Sequence, residues 1–464
     1  FSPTEIEQLW VSLAKGNSFQ NFNVIIDFIL QSCLSSRNPK YVEMCRDVVM
    51  YLSTVPGGSA INERLIADLD TRNTIPNNQV LFKEPEGLRE RYSDILDVAR
   101  FLPHKGKDVY FSKCHLSIIF LVNLLGLNHT SLEQHIPLLL HVCLIFLDHY
   151  VPLIQESAVK ILCNLIYILN PTHEETEFTV SLIKDKNQLW AYNQLVKDNK
   201  GSRSPKTMDT IIKNILTIVG GNVFIQECWQ RIACRWATLC AVRHIACRSF
   251  QVFRCLIIVL DLKMLKEMLH RLANTICDDN IDVQGFSMQI LMSFNAMTAE
   301  LSPEKLIEFP QLFWALVAWL STIHEQEYIE VLSSLNKFVS KIDLDSPDTI
   351  QCLGATFPVN WEGQFDGLQS MIMTGLRSSN AYKLSLELLN KLNLLGDSKI
   401  IANTENRVLY ALLANLPNFL RALDDEQFLS EIASDCDGFI KLCDSHELPS
   451  LSRLINSLKN KKFR

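Results

Sequence analysis

The chain has 464 residues, of which 48% are hydrophobic and 20% charged, with a formal net charge of −7. So much apolar material, with only 16 glycines and 16 prolines, excludes a disordered or low-complexity chain and allows a large buried core. The acidic balance excludes a domain built to hold nucleic acid on a basic surface.

In chain order, the first helix pair is expected over Phe22 to Leu52, with Asn38-Pro39 as its turn. Loops follow at Pro56-Gly57-Gly58-Ser59, Asp70 to Gln79 and Pro103 to Lys107. A helical pattern from Gly87 to Leu102 lies among them, so residues 55–110 read as an irregular insertion. The clearest pair runs from Pro137 to Asn170. Leu138, Leu139, Val142, Ile145 and Phe146 share one helical face, Asp148 to Pro152 makes the turn, and Ile154, Ala158, Ile161, Leu162 and Leu165 share the second face. Pro152 fixes the turn because its ring sets φ, removes a donor and restrains the residue before it. Residues 198–206 read as a flexible loop. Its Ser204-Pro205 also fits a phosphoacceptor, although a loop is the default for a lone Ser-Pro. Further pairs are expected over Leu262 to Met297, Phe309 to Val339 and Leu368 to Leu395, with longer loops at Asp343 to Pro347 and Phe357 to Asp366.

Two short amphipathic helices cannot bury both apolar faces alone, so stacked neighbours must complete the core. The expectation is an all-α chain: an α-solenoid of HEAT/armadillo-like repeats, single and elongated over 1–464. At roughly 40–47 residues per unit this length allows on the order of ten repeats.

Fourteen cysteines lie along helical faces without a CxxC or any disulfide framework, a usage that suits a reducing compartment. The apolar runs Leu116 to Leu127 and Ile136 to Leu147 are about 12 residues, short of the roughly 20 of a membrane span, so no transmembrane segment is expected. A start at Phe1 rather than Met suggests a segment of a longer protein.

Phosphate-loop, dinucleotide, nucleophile-elbow and HExxH motifs are absent, so no cofactor is expected and an enzyme is the weaker class. His141, Cys143 and His149 are the nearest thing to a metal set. His141 and Cys143, two apart on a helix, point to different faces, so buried helix residues are the default. The pairs Asp278-Asp279 and Asp424-Asp425 suit turns and caps better than acid–base work.

One stretch stands out. From Cys228 to Leu260 there is no Asp or Glu, yet Arg231, Arg235, Arg243, Arg248 and Arg254 are present. Trp229, Ile232, Ala233, Trp236 and Ala237 form the apolar face of its first helix, and Arg231 and Arg235, four apart, project together from another side. On the second helix Val242, Ile245, Ala246, Ser249, Phe250 and Phe253 face inward, leaving Arg243, Arg254 and Arg248 nearer an edge. The five arginines are candidates for docking an acidic protein partner. The competing reading is that they bury their stems and pair with carboxylates of neighbouring repeats.

Trp236-Ala237-Thr238-Leu239-Cys240 with Arg243 to Arg254, and the earlier Pro137-Leu138-Leu139-Leu140-His141 to Leu147-Asp148-His149-Tyr150, resemble the carboxy-terminal region of the Furry family of morphogenesis proteins, including its fungal members. The resemblance covers residues 110–300 well and the rest loosely. It implies a large HEAT/armadillo-like scaffold, without enzymatic activity, that works with NDR-type kinases and their Mob co-activators in polarised growth. A cytoplasmic location at growth sites or the cell cortex is implied with it. Kinase association in that family is usually assigned to more amino-terminal parts, so what carries over is an assembly role. The alternative is a solenoid adaptor or transport-receptor-like protein holding a peptide or helix in its groove, for which a ladder of exposed Asn and Trp is expected.

Overall fold

The computed structural model describes residues 3–15, 19–36, 38–55, 58, 60–76, 109–125, 133–191, 204–276, 283–402 and 404–460. Among them every regular element is helical, and the fold is all-α, of the HEAT/armadillo-like solenoid class. Two compact units divide the chain: Phe1–Ile258 with Ala273–Gln289, and Val259–Leu272 with Ile290–Arg464.

The first unit carries α1 (Pro3–Ala14), α2 (Phe19–Ser35), α3 (Pro39–Ser53), α4 (Ala60–Ala67), α5 (Lys113–Leu124), α6 (Ile136–Ile145), α7 (Pro152–Leu169), α8 (Glu174–Lys184), α9 (Lys206–Ile218), α10 (Val223–Leu239) and α11 (Arg243–Leu256). Helices α12 (Leu262–Ile276) and α13 (Val283–Glu300) contribute residues to both units. The second unit continues with α14 (Pro303–Glu308), α15 (Pro310–Trp319), α16 (Glu325–Lys341), α17 (Pro347–Ala355), α18 (Leu368–Ile372), α19 (Tyr382–Asn393), α20 (Thr404–Asp424), α21 (Glu426–Glu431), α22 (Ala433–Ser445) and α23 (Pro449–Lys459).

The expected pairs are present as α2/α3, α6/α7, α15/α16 and, across a 3-10 turn at Met373–Arg377, α18/α19; at Leu262 to Met297 the two helices α12 and α13 are present, and the turn expected at Cys277 to Asp282 lies outside the described residues. Proline starts many of these helices, because a first-turn N–H has no intrahelical partner to lose and φ is already helical. Pro39, Pro152, Pro303, Pro310, Pro347 and Pro449 all stand in first turns. At α3 the start is doubled, with the Asn38 side chain accepting from Lys40 N at 3.0 Å. Part of the polar run expected to be loop is ordered: Asp70 caps a 3-10 turn over Thr71–Asn73. Residues 77–108 and 192–203, which hold the Gly87 to Leu102 pattern and most of the 198–206 loop, lie outside the described residues.

The core of the first unit gathers around α5 and α6, the two apolar runs of the sequence. Cys114 to Val122 of α5 are all buried, as is α6 apart from half-buried Leu138. Helices apolar all round belong inside. Helix α5 packs on α3, α4 and α7, and α6 on α7, α10 and α11. Helix α7 is amphipathic: Ile154, Ala158, Ile161, Leu162, Leu165 and Ile166 are buried, whereas Glu156, Lys160 and Asn164 are exposed. It is the one helix among the described residues long and apolar enough, by length and composition, to cross a membrane, and its apolar side is occupied by packing.

In the second unit the long loop expected at Phe357 to Asp366 is held by aromatic packing. Phe357, Trp361 and Phe365 stand 5.0, 6.4 and 5.5 Å from the buried Trp314 ring, centroid to centroid. Gly367 closes the loop at φ +93, where an added Cβ would lie 2.5 Å from Ala402 Cα.

Candidate protein-interaction surface

The buried side of α10, Trp229, Ala233, Trp236 and Ala237, turns Arg231 and Arg235 outward together. Arg231 Nη2 meets Glu227 Oε1 at 2.9 Å, one helical turn back and just outside the acid-free stretch. Arg235 Nη2 meets Asp70 Oδ2 at 2.8 Å, and the same carboxylate accepts from Arg72 Nε at 2.9 Å. The exposed edge therefore holds three arginines on two carboxylates, with exposed Leu239 one turn beyond Arg235. Arg72 has no local signal in the sequence; only the fold brings it to Arg235.

The other three arginines are placed differently. Helix α11 is covered by α6, α9 and α10, so that Ile245 to Phe253 are all buried, including the side opposite Phe250. Arg248, expected near an edge, is 1% exposed as a result. Its Nε and Nη2 donate to Asp148 Oδ2 at 2.9 and 2.7 Å, Nη1 donates to Gln251 Oε1 at 2.8 Å, and Nη2 also donates to Ala191 O at 3.1 Å. Arg254 is half-buried and reaches Gln289 and Ser204. Arg243, also half-buried, lies 5.9 Å from the centroid of the Phe286 ring.

Asp148 stands in the turn expected after the first helix of this pair. Helix α6 ends at Ile145, and from the following turn the Asp148 side chain is buried in the interior. Burial alone would raise its carboxyl pKa; the hydrogen bond with His244 and the Arg248 charge outweigh burial and hold it below the ordinary carboxylate range. His244 Nε2 is 3.1 Å from Asp148 Oδ2, and His141 Nε2 is 3.1 Å from Ser249 Oγ. The two segments that carry the family resemblance, 137–150 and 236–254, are thus bonded to each other in the interior at three points.

His141, Cys143 and His149 do not converge: His141 faces Ser249 and Trp236, and His149 Nδ1 accepts from Val151 N at 3.1 Å. Among the described residues no group of three His, Cys, Asp or Glu is disposed to hold a metal. Asp425, of the second carboxylate pair, caps α21 by accepting from Phe428 N at 3.0 Å, whereas Asp278 and Asp279 lie outside the described residues.

Burial lowers the His141 pKa to about 3, and burial, partly offset by Asp148, lowers that of His149 to about 4. The unfolded chain binds protons at both sites near pH 6.5, whereas the fold does not, so unfolding takes up protons and stability falls as the pH drops from about 6.5 towards 4. Each histidine contributes a slope of up to about 1.4 kcal/mol per pH unit in that window. Urea unfolding at pH 7.5 and 5.0 should show the loss, and His141→Gln should flatten it by about one proton. The Asp148 contribution has its own window, being present above about pH 3.9 and lost as the pH falls through its lower folded value.

A feature not singled out in the sequence lies on α20. Leu409, Leu413, Leu416, Leu420 and Leu423, spaced by four, three, four and three residues, line one helix face and are 39–56% exposed. The opposite face, with Val408, Ala411, Phe419 and Ala422, packs with Cys436 and Phe439 of α22. A leucine seam at a 3.5-residue period is the pattern that pairs with another helix.

Comparison with known proteins gives the family. The family model described as "Cell morphogenesis central region" matches residues 101–278, which include all five candidate arginines, and the model described as "Cell morphogenesis C-terminal" matches residues 310–464. The chain is 55% identical over its whole length to "Cell morphogenesis protein PAG1" of Saccharomyces cerevisiae and 26% identical to "Cell polarity protein mor2" of Schizosaccharomyces pombe. It spans 19% and 21% of those proteins, about a fifth of each. With both models matched in this order and a relative sharing over half its residues, the chain belongs to the Furry family of cell morphogenesis proteins.

Proposed function

We propose that residues 1–464 work as one segment of a non-enzymatic scaffold in polarised growth and cell morphogenesis, supporting an NDR-type kinase and its Mob co-activator in the cytoplasm at growth sites or the cell cortex. The observation that carries the reading is the leucine row of α20, an apolar seam left in water by a helix whose other side is already in the core. Such a seam suits a protein that docks helices. Holding a kinase and its regulator on one chain raises their effective concentration, a gain that needs no catalytic residue. The printed names of the two relatives, morphogenesis and polarity proteins, support the setting. The groove-adaptor alternative has less support, since Trp229 and Trp236 are buried in the core of α10 rather than laid along a groove.

The cellular test places Leu413→Glu with Leu420→Glu in the full-length protein. Both leucines are about half exposed, so the chain should keep its abundance while polarised growth is lost. Normal polarity with the doubly substituted protein would remove the seam from the function.

A further inference from the structure

Ser204 immediately precedes Pro205, the residue that caps α9. Its hydroxyl donates to Gln251 O of α11 at 2.9 Å and accepts from Arg254 Nε at 3.3 Å. Arg254 is itself fastened to α13, with Nη1 donating to Gln289 O at 3.1 Å and Nη2 to Gln289 Oε1 at 3.0 Å. A guanidinium held through both Nη atoms, with its Nε aimed at the serine oxygen, already stands where a phosphate oxygen on that serine would come. Helix α9 starts without a side-chain cap, so its first-turn amides add a favourable field, and exposed Lys206 adds a positive charge. The carboxylate of that first turn, Asp209, is paired with Lys213 at 2.7 Å. The adjoining Cys255 thiol, raised by burial to about 11, is neutral at physiological pH.

We propose that Ser204 is a phosphoacceptor for a proline-directed kinase and that Arg254 anchors the phosphate. In the transfer the Oγ–P bond forms, the bond from the γ-phosphorus to the bridging oxygen of ATP breaks, ADP leaves, and the hydroxyl proton passes to solvent. Gln251 O loses its donor, and the Arg254 guanidinium exchanges a neutral hydroxyl for a phosphate dianion, so a single hydrogen bond becomes an ion pair. The modification ties the start of α9 more firmly to α11 and, through Arg254, to Gln289 of α13.

The test incubates the folded chain with a cyclin-dependent-type kinase and Mg-ATP, maps the phosphate by mass spectrometry, and titrates it by ³¹P NMR. A peptide of residues 199–209 gives the free-phosphoserine reference. One phosphate is expected at Ser204, absent in Ser204→Ala, with its second ionisation displaced below the ordinary value of about 6. Arg254→Gln should move that ionisation most of the way back to the peptide value, the rest being held by the α9 first turn, and Arg254→Lys should keep more of the displacement. No incorporation at Ser204 in the folded chain overturns the proposal, whatever the peptide does. So does a folded-chain phosphate that titrates like the peptide, a result that stands even if the Arg254 variants fail to fold.

Discussion

Ala158→Asp should cost about 4 kcal/mol of unfolding free energy, or prevent folding. Ala158 is 0% exposed on the inner side of α7, one turn from Ile154 and Leu162, which are also fully buried. A carboxylate there would enter an apolar layer lined by Ile154, Ile161 and Leu162, and the small alanine leaves no room for water to follow. Lys160→Asp, on the exposed side of the same helix, also introduces a carboxylate but without burial, and should shift stability by no more than about 0.5 kcal/mol. Urea unfolding of the two variants reads the helix phase directly. Equal melting of both would mean that α7 does not face the core as described.

Arg248→Met should cost about 3–5 kcal/mol, since it leaves the Asp148 carboxylate buried without its guanidinium, with the His244 ring still within hydrogen-bond reach. The loss reflects the stranded partner more than the net worth of the pair. The double variant Asp148→Leu with Arg248→Met should therefore recover most of it. The cycle also separates an interior role from a docking role: removing a docking arginine would leave the unfolding midpoint where it was. A single variant that unfolds within about 1 kcal/mol of the parent would show that the buried pair does not hold α11 to the turn after α6.

Helix pairs were legible because two local signals coincide, the 3.6-residue apolar period and a proline in the first turn, as at Pro39 and Pro152. What could not be read locally depends on partners far along the chain. Asp148 and Arg248 are 100 residues apart, and Arg235 and Asp70 are 165 apart. An aspartate after an apolar helix looks the same in sequence whether it faces water or a buried guanidinium. The leucine row escaped notice for a different reason. Helix α20 is apolar on both sides, with Val408, Ala411 and Phe419 opposite the leucines, so its pattern suggests interior packing unless the two phases are separated.

The family resemblance rests on residues whose physical roles now explain why they are distinctive. Arg248, Ser249 and Gln251 on α11, with His141 on α6 and Asp148 in the turn after it, are buried polar groups bonded to one another, and apolar residues of similar size cannot replace them one at a time. Generic repeat helices carry leucine and alanine at such positions. The surface arginines carry no such signature: Arg231 and Arg235 lie on the exposed edge, each paired with a carboxylate.

The most direct test of the scaffold account is a binding titration of this purified chain against a purified NDR-type kinase–Mob complex. The Leu413→Glu/Leu420→Glu and Arg231→Glu/Arg235→Glu variants would be run beside it, each checked for an unchanged unfolding midpoint. The account predicts saturable binding, at least tenfold weaker with the leucine variant, and weaker and less salt-dependent with the arginine variant. Absence of saturable binding by the folded parent chain, or equal binding by all three proteins, would contradict it.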